Sequence, residues 1–256
     1  MGRRRRSCRN KQTVIVASAH SMPQIEPSVG IVADGQFGRQ QVPIKAVFFD
    51  VGETLVDETR QWFSWADWLG VSRLSFCAAF GAVIERGEHH RRVFDAFVPD
   101  FDLKQAEASR AASGQGYTIE PRDLYPDALA ALHELRGAGY RVGIAGNQPE
   151  EAEGALKACG VEADYIASSA RWGVEKPSPA FFARVIEIAG CRPSEIAYVG
   201  DRLDNDILPA RRAGMCAVFL VRGPWGFIHA RRLEAGQATI TIHSPIGLSK
   251  ALASLP

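Results

Sequence analysis

From Ile44 onward, short apolar runs alternate with segments of helical periodicity. The runs end in glycine, a carboxylate or another polar residue, and most of them do not alternate strictly between apolar and polar positions. This pattern is typical of strands that are buried on both faces of a parallel sheet. The predicted strands cover residues 46–49, 140–145, 164–167, 195–199, 215–221 and 238–242.

Helical patterns separate these strands. The segment 127–137 carries Leu129, Leu132 and Leu135 on one face, and helices are also predicted over 149–159, 180–189 and 207–213. A glycine stands where most of these helices should end, as is common just past a helix C-terminus. Strands and helices in alternation predict an α/β fold with a doubly wound parallel sheet.

Residues 58–124 interrupt that alternation with a block of helical patterns. We therefore predict a small helical domain inserted after the first strand. The tryptophans of this block have two interpretations: they line a substrate pocket, or they pack in a core. Their helical spacing favours the core, and the set comprises Trp62, Trp65 and Trp68.

Composition narrows the function classes. The chain has 256 residues, of which 46% are apolar and 23% are charged, and its formal net charge is +1. Such a balance gives no reason to expect a nucleic-acid or membrane partner, and the longest apolar run, 215–221, is far shorter than the ~18–20 residues of a membrane helix. The five cysteines are scattered and never in CxxC spacing, which predicts a cytoplasmic protein. The oligomeric state is left open.

Residues 1–43 differ from the rest, because seven basic residues stand against two acidic ones and give a net charge of +5. Without sustained periodicity, this segment is predicted to be a disordered basic extension. It has four interpretations: an organelle transit peptide, a nucleic-acid or localisation patch around Arg3–Arg6, a degenerate signal peptide, and a dispensable tail or a translation start set too far upstream. We favour the last.

Candidate chemistry lies where the predicted strands end. Carboxyl ends of parallel strands meet at one edge of the sheet, where ligands bind in open α/β folds. Carboxylates that converge there repel one another, and a hard cation such as Mg²⁺ relieves the repulsion. A nearby lysine suits a phosphate, so the pattern predicts phosphoryl transfer. The residues concerned are Asp50, Asn147, Ser168, Ser169, Lys176, Asp201 and Asp206.

Three segments, in this order, resemble the motifs of the haloacid dehalogenase superfamily of hydrolases. They are 48–57 (FFDVGETLVD), 173–179 (GVEKPSP) and 199–206 (VGDRLDND). The resemblance implies a Rossmann-like core over 44–57 and 125–256, with 58–124 as the helical cap. It also implies a Mg²⁺-dependent hydrolase that acts on a small phosphate monoester.

The resemblance assigns a nucleophile and a metal site. Asp50 matches the nucleophile that would form an aspartyl-phosphate. The Asp50 carboxylate, the backbone carbonyl of Gly52 and the Asp201 carboxylate would hold Mg²⁺. Asp206 is counted with them, since it would orient a water on the metal and the side chain of Lys176.

The resemblance also assigns the phosphate contacts. Lys176 would neutralise the phosphoryl group and the nucleophile, as a catalytic and substrate-binding residue. Gly146 and Asn147 fall where the family has its phosphate-binding turn.

Two positions depart from the family pattern. Its phosphatases have an aspartate two residues after the nucleophile as general acid and base, where this chain has Gly52; such catalysis is typically worth 10²–10⁴-fold. Glu53 or a cap residue would have to replace it. The second departure is Gly146, where serine or threonine is usual.

These departures leave an alternative function open: a catalytically weak relative that binds a phosphorylated ligand or a protein. A metal-independent dehalogenase is disfavoured, because the family's dehalogenases are expected to have an aromatic residue at position 52 and to lack an aspartate at position 201.

Overall fold

A six-stranded parallel sheet is the centre of the molecule. The computed structural model describes residues 43–255, so the predicted basic extension lies, except for Pro43, outside the described residues. The strand order is β3-β2-β1-β4-β5-β6, the doubly wound arrangement in which the chain reverses direction beside β1. The strands are β1 (Ala46–Phe49), β2 (Arg141–Gly146), β3 (Tyr165–Ser168), β4 (Ile196–Gly200), β5 (Cys216–Leu220) and β6 (Ile240–Ile242).

Both faces of the sheet are buried. Along β1, Val47 and Phe49 face one apolar core while Ala46 and Phe48 face the other. Phe48 is aligned with Gly143 on β2, and a Cβ at that glycine would lie 2.2 Å from the Phe48 ring. The close packing of this ring against β2 therefore requires glycine there. Burial on two faces explains why the strand sequences do not alternate.

Ten α-helices accompany the sheet in the described part of the chain. Residues of α4, α5 and α10 belong to one core, and residues of α7 and α8 belong to the other. This layered arrangement confirms the predicted α/β fold. The helices are α1 (Thr59–Trp68), α2 (Arg73–Glu85), α3 (Leu103–Ala112), α4 (Ala128–Gly137), α5 (Glu151–Ala158), α6 (Ser169–Trp172), α7 (Pro179–Ala189), α8 (Leu208–Arg212), α9 (Gly223–His229) and α10 (Leu248–Ala253).

A third apolar cluster lies among the helices between β1 and β2. It contains Trp65, Phe76 and Phe94 from this insertion, together with Trp225 from α9. Trp65 is 6% exposed and packs edge-on against Phe94, whereas Trp68 is 38% exposed. A separate cluster supports an inserted helical unit, although the division at 58 and 124 stays a prediction.

No single helix in the described part of the chain has the length and apolar character of a membrane span. The pair α1 and α2, bent by 115°, passes the same criterion on length and composition only. Both helices contribute side chains to the third apolar cluster.

Candidate active site

Four buried charged side chains meet at the carboxyl edge of the sheet. The Lys176 Nζ lies 2.6 Å from Asp50 Oδ1 and 2.6 Å from Asp206 Oδ1. Asp50, Asp201 and Asp206 each place a carboxylate oxygen within 4.8 Å of the others. The structure therefore brings together the four charged residues that the sequence singled out.

Strand pairing positions the two aspartates that follow β1 and β4. These strands are neighbours, with Phe49 aligned with Val199. The Asp50 N–H extends the ladder by donating to the Val199 carbonyl at 2.9 Å. Asp50 and Asp201 thus leave adjacent strands at the same edge, beside the point where the chain reverses direction.

Asp206 reaches the cluster through a change in helix geometry. A helix was predicted over 207–213, but α8 is preceded by a π-helical turn, Leu203–Ile207. The Arg202 N–H donates to Asp206 Oδ2 at 3.0 Å, and the Ile207 N–H donates to the Arg202 carbonyl at 3.1 Å. The wide turn points the Asp206 carboxylate back toward β4, where a Cβ at Gly200 would lie 2.4 Å from Asp206 Cγ.

Asn147 holds the loop that carries Lys176. Its Oδ1 accepts from the Lys176 N–H at 2.7 Å, and its Nδ2 donates to the Lys176 carbonyl at 2.9 Å. Both ends of the Asn147 amide are used in this clamp. The Asn147 side chain therefore positions the loop that carries Lys176, and contact between Asn147 and substrate stays a prediction.

The ammonium of Lys176 is surrounded by negative charge. Burial disfavours its charge, but the carboxylates of Asp206 and Asp50 outweigh burial and hold the pKa of Lys176 well above its usual value. Burial raises the pKa of Asp206 to about 6, although the ammonium pulls it down. Lys176 is thus a fixed positive charge beside Asp50.

Asp201 has a different environment. Both of its carboxylate oxygens are buried and accept no hydrogen bond from residues 43–255. Burial, together with the charges of Asp206 and Asp50, raises the pKa of Asp201 well above its usual value. Buried oxygens of this kind require a partner, and oxygen ligands in a carboxylate cluster fit Mg²⁺.

The two glycines that depart from the family pattern lie close to acidic side chains. A Cβ at Gly146 would lie 2.6 Å from Asp50 Oδ1, so serine or threonine does not fit there unless Asp50 moves. A Cβ at Gly52 would lie 2.3 Å from Glu58 Oε1. A carboxyl group from outside the motif thus occupies the space where a side chain at position 52 would begin.

Residues 44–214, more than half of the chain, match the family model of the haloacid dehalogenase-like hydrolases. The chain belongs to this family. The predicted membership of the haloacid dehalogenase superfamily is therefore confirmed.

The relatives of this hydrolase include named phosphatases. It is 33% identical over 153 residues to glyceraldehyde 3-phosphate phosphatase of Methanopyrus kandleri, a match that covers 56% of this chain and 64% of the relative. The enzyme of the same name from Methanothermobacter thermautotrophicus is 26% identical over 207 residues, covering 69% and 85%. The crystal structure of a phosphatase of this superfamily from Thermococcus onnurineus matches with a TM-score of 0.54 at 25% identity, covering 82% and 98%.

Sequence reasoning about this hydrolase missed Glu58. The residue precedes α1 and is half-buried, and it falls at the first position of the predicted helical insertion. Burial and the charges of Glu53 and Asp50 raise the pKa of Glu58 to about 8. The only sequence signal was an acidic residue close behind a motif that lacked its usual second acid.

Of the other predicted residues, Ser168 lies outside the cluster. Its hydroxyl donates to Glu153 Oε1 at 2.7 Å, which fixes the end of β3 to α5. The backbone carbonyl of Gly52 as a metal ligand stays a prediction.

Proposed function

We propose that the protein hydrolyses phosphate monoesters of small molecules, with Asp50 as the nucleophile that forms an aspartyl-phosphate. The observation that carries the proposal is the position of the Asp50 carboxylate, 2.6 Å from a buried ammonium and beside the unpartnered carboxylate of Asp201. A nucleophile, a fixed cation and a set of oxygen ligands for a metal ion are the parts that phosphoryl transfer needs.

Mg²⁺ is the cofactor that we propose for this site. Asp50, Asp201 and the Gly52 carbonyl would hold it, with Asp206 close by, and the unpartnered oxygens of Asp201 fit such an ion. When bound, the ion neutralises charge on the phosphoryl oxygens.

The chain's own residues account for the first chemical step. A carboxylate oxygen of Asp50 attacks phosphorus, a new O–P bond forms, and the bond from phosphorus to the ester oxygen breaks. Lys176 stays charged throughout, because Asp206 and Asp50 stabilise its ammonium, and it offsets the negative charge of the transferring group. Asn147 keeps the lysine in place through the two backbone hydrogen bonds.

In the second step, water attacks the aspartyl-phosphate. The O–P bond to Asp50 breaks, inorganic phosphate leaves, and the Asp50 carboxylate is restored. Asp50 leaves no room for a side chain at position 146, so only the backbone of Gly146 can contact a phosphate oxygen. The side chain of Asn147 is occupied, so its backbone is the part available to substrate.

The relatives support a small phosphorylated substrate. Besides the glyceraldehyde 3-phosphate phosphatases, a phosphoserine phosphatase of Thermus thermophilus matches over 103 residues at 34% identity. We propose a substrate of this size class, a phosphate ester of a small metabolite.

We also propose a cytoplasmic location. Cys77, Cys159, Cys191 and Cys216 are all free thiols in the described part of the chain. Free cysteines agree with a reducing compartment.

The test is hydrolysis of p-nitrophenyl phosphate and glyceraldehyde 3-phosphate by the purified protein, with EDTA and Asp50→Asn as controls. We expect turnover that requires Mg²⁺ and disappears in the variant. Activity equal in the wild type and Asp50→Asn would refute the proposal and favour a binding protein.

A further inference from the structure

Gly52 leaves space that a carboxyl group fills. A Cβ at this position would lie 2.3 Å from Oε1 and 2.7 Å from Cδ of Glu58. Any side chain at position 52 would therefore overlap the Glu58 carboxyl. Gly52 is two residues after Asp50, so Glu58 places its acid beside the loop that carries the nucleophile.

Contacts on two sides hold Glu58 in this position. Its Oε2 accepts from Trp62 Nε1 at 3.2 Å, one helical turn further along. Its backbone N–H donates to Glu53 Oε1 at 3.2 Å. Although Glu58 occupies the cap position of α1, its side chain makes no capping hydrogen bond. The carboxyl is thus fixed in orientation while Oε1 has no helix-capping role.

Glu53 is the other candidate to replace the missing aspartate, but its carboxylate is engaged in structure. Oε2 accepts from the Tyr125 hydroxyl at 2.6 Å, and Oε1 accepts from the Glu58 N–H. Glu53 is 4% exposed, and a Cβ at Gly223 would lie 2.3 Å from its Oε2. Its carboxylate therefore braces the loop against Tyr125 and the start of α9, which leaves Glu58 as the acid at Gly52.

We propose that Glu58 is the general acid and base of this hydrolase. It lies at the start of α1 and replaces the aspartate that the family has at position 52. This inference rests on the proposed phosphatase function. It makes Gly52 and Glu58 a matched pair, since the glycine provides the space that the glutamate uses.

The proton transfers balance over the two steps. As Asp50 attacks phosphorus and the ester O–P bond breaks, the Glu58 carboxyl gives its proton to the leaving oxygen and an alcohol departs. The Glu58 carboxylate then takes a proton from the water that attacks the aspartyl-phosphate. Phosphate leaves and Glu58 is protonated again, so ester and water yield alcohol and phosphate.

The first test uses leaving groups that differ in their need for a proton. An alkyl phosphate such as glyceraldehyde 3-phosphate releases an alkoxide that must be protonated, whereas nitrophenolate leaves without a proton. We expect Glu58→Gln to lower kcat/KM for the alkyl ester by about 10²–10⁴-fold. With p-nitrophenyl phosphate, the rate at which the first equivalent of nitrophenolate is released should fall by a much smaller factor.

A second readout follows the phosphorylated enzyme. Without its base, Glu58→Gln should release one nitrophenolate per active site in a burst and then accumulate phosphorylated Asp50, which a structural defect would not produce. The glutamine keeps an oxygen that can accept from Trp62, and thermal unfolding checks that the variant folds. Asp57→Asn is the matched control, since asparagine retains the oxygen that accepts from the Thr59 N–H at 2.8 Å.

The exchange of positions is the third arm. Gly52→Asp combined with Glu58→Ala moves the carboxyl back to position 52, and we expect it to recover activity on the alkyl ester relative to Glu58→Ala alone.

The outcomes separate the two proposals. If Glu58→Gln lost the same factor in rate on both substrates and accumulated no phosphorylated enzyme, the role of Glu58 would be overturned. Asp50-dependent turnover by the wild type would still support the phosphatase. If the wild type showed no turnover that depends on Asp50, both proposals would be refuted.

Discussion

Replacing Lys176 with methionine tests how the charge cluster is stabilised. The substitution keeps the length of the side chain but removes the ammonium that lies 2.6 Å from both Asp50 and Asp206. At an effective dielectric constant of 20, each contact is worth about 6 kcal/mol of Coulomb attraction. The desolvation of the charges offsets most of that attraction. Breaking a buried pair on one side typically costs about 3–5 kcal/mol, which is the loss that we expect in the free energy of unfolding.

The assay is urea unfolding followed by tryptophan fluorescence in metal-free buffer. Lys45→Met is the matched control, because the Lys45 side chain is 55% exposed and its pair with Glu195 should contribute about 1 kcal/mol or less. A loss in Lys176→Met no larger than that of Lys45→Met would refute the reasoning.

The penalty in Lys176→Met should also depend on pH. The pKa of Asp206 is already raised from 3.8 to about 6 by burial, and removal of the ammonium raises it further. A carboxyl whose pKa is higher in the folded state holds its proton better there, so stability falls as pH rises through the folded pKa. The variant should therefore lose less stability, relative to the wild type, at pH 5 than at pH 8. An equal penalty at both pH values would contradict this.

Two further predictions concern Asp201 and His229. In metal-free buffer, Asp201→Asn should be at least as stable as the wild type, because an unpartnered buried carboxylate is removed. Mg²⁺ at a hundred times its Kd should stabilise only the wild type, by about 2.7 kcal/mol. Equal Mg²⁺-induced shifts of the unfolding temperature in calorimetry would contradict the metal site. Burial lowers the pKa of His229 from 6.5 to about 4, so the unfolded chain takes up the proton first as pH falls and stability is lost below pH 6.5. Between pH 7 and 5 this loss should be about 2 kcal/mol, measured by urea unfolding as the excess over His229→Gln, and identical pH profiles would refute it.

Much of the fold was predictable because local patterns and tertiary packing agree. The apolar run 46–49 coincides with β1, and the other predicted strands agree with the structure to within two residues, at most, at either end. The carboxylates and Lys176 were identifiable because the loops that follow parallel strands lie at the same edge of the sheet.

Features that depend on loop conformation or on contacts between distant segments were not predictable. Gly52 and Glu58 are close because of the conformation of the loop that joins β1 to α1, which no sequence pattern specifies. The use of the Asn147 side chain as a clamp on the Lys176 loop likewise depends on the packing of two distant segments. Trp225 joins the third apolar cluster from α9, more than a hundred residues after the rest of that cluster.

The covalent intermediate is the central claim, and its detection is the most direct measurement. The wild type and Glu58→Gln would be mixed with p-nitrophenyl phosphate and Mg²⁺, quenched in acid, and analysed by peptide mass spectrometry. We expect one phosphoryl group on the peptide that contains Asp50, and a larger phosphorylated fraction in Glu58→Gln than in the wild type. Variants that also carry Asp50→Asn should show none. Turnover without a phosphorylated peptide, or a phosphoryl group on another residue, would contradict the mechanism.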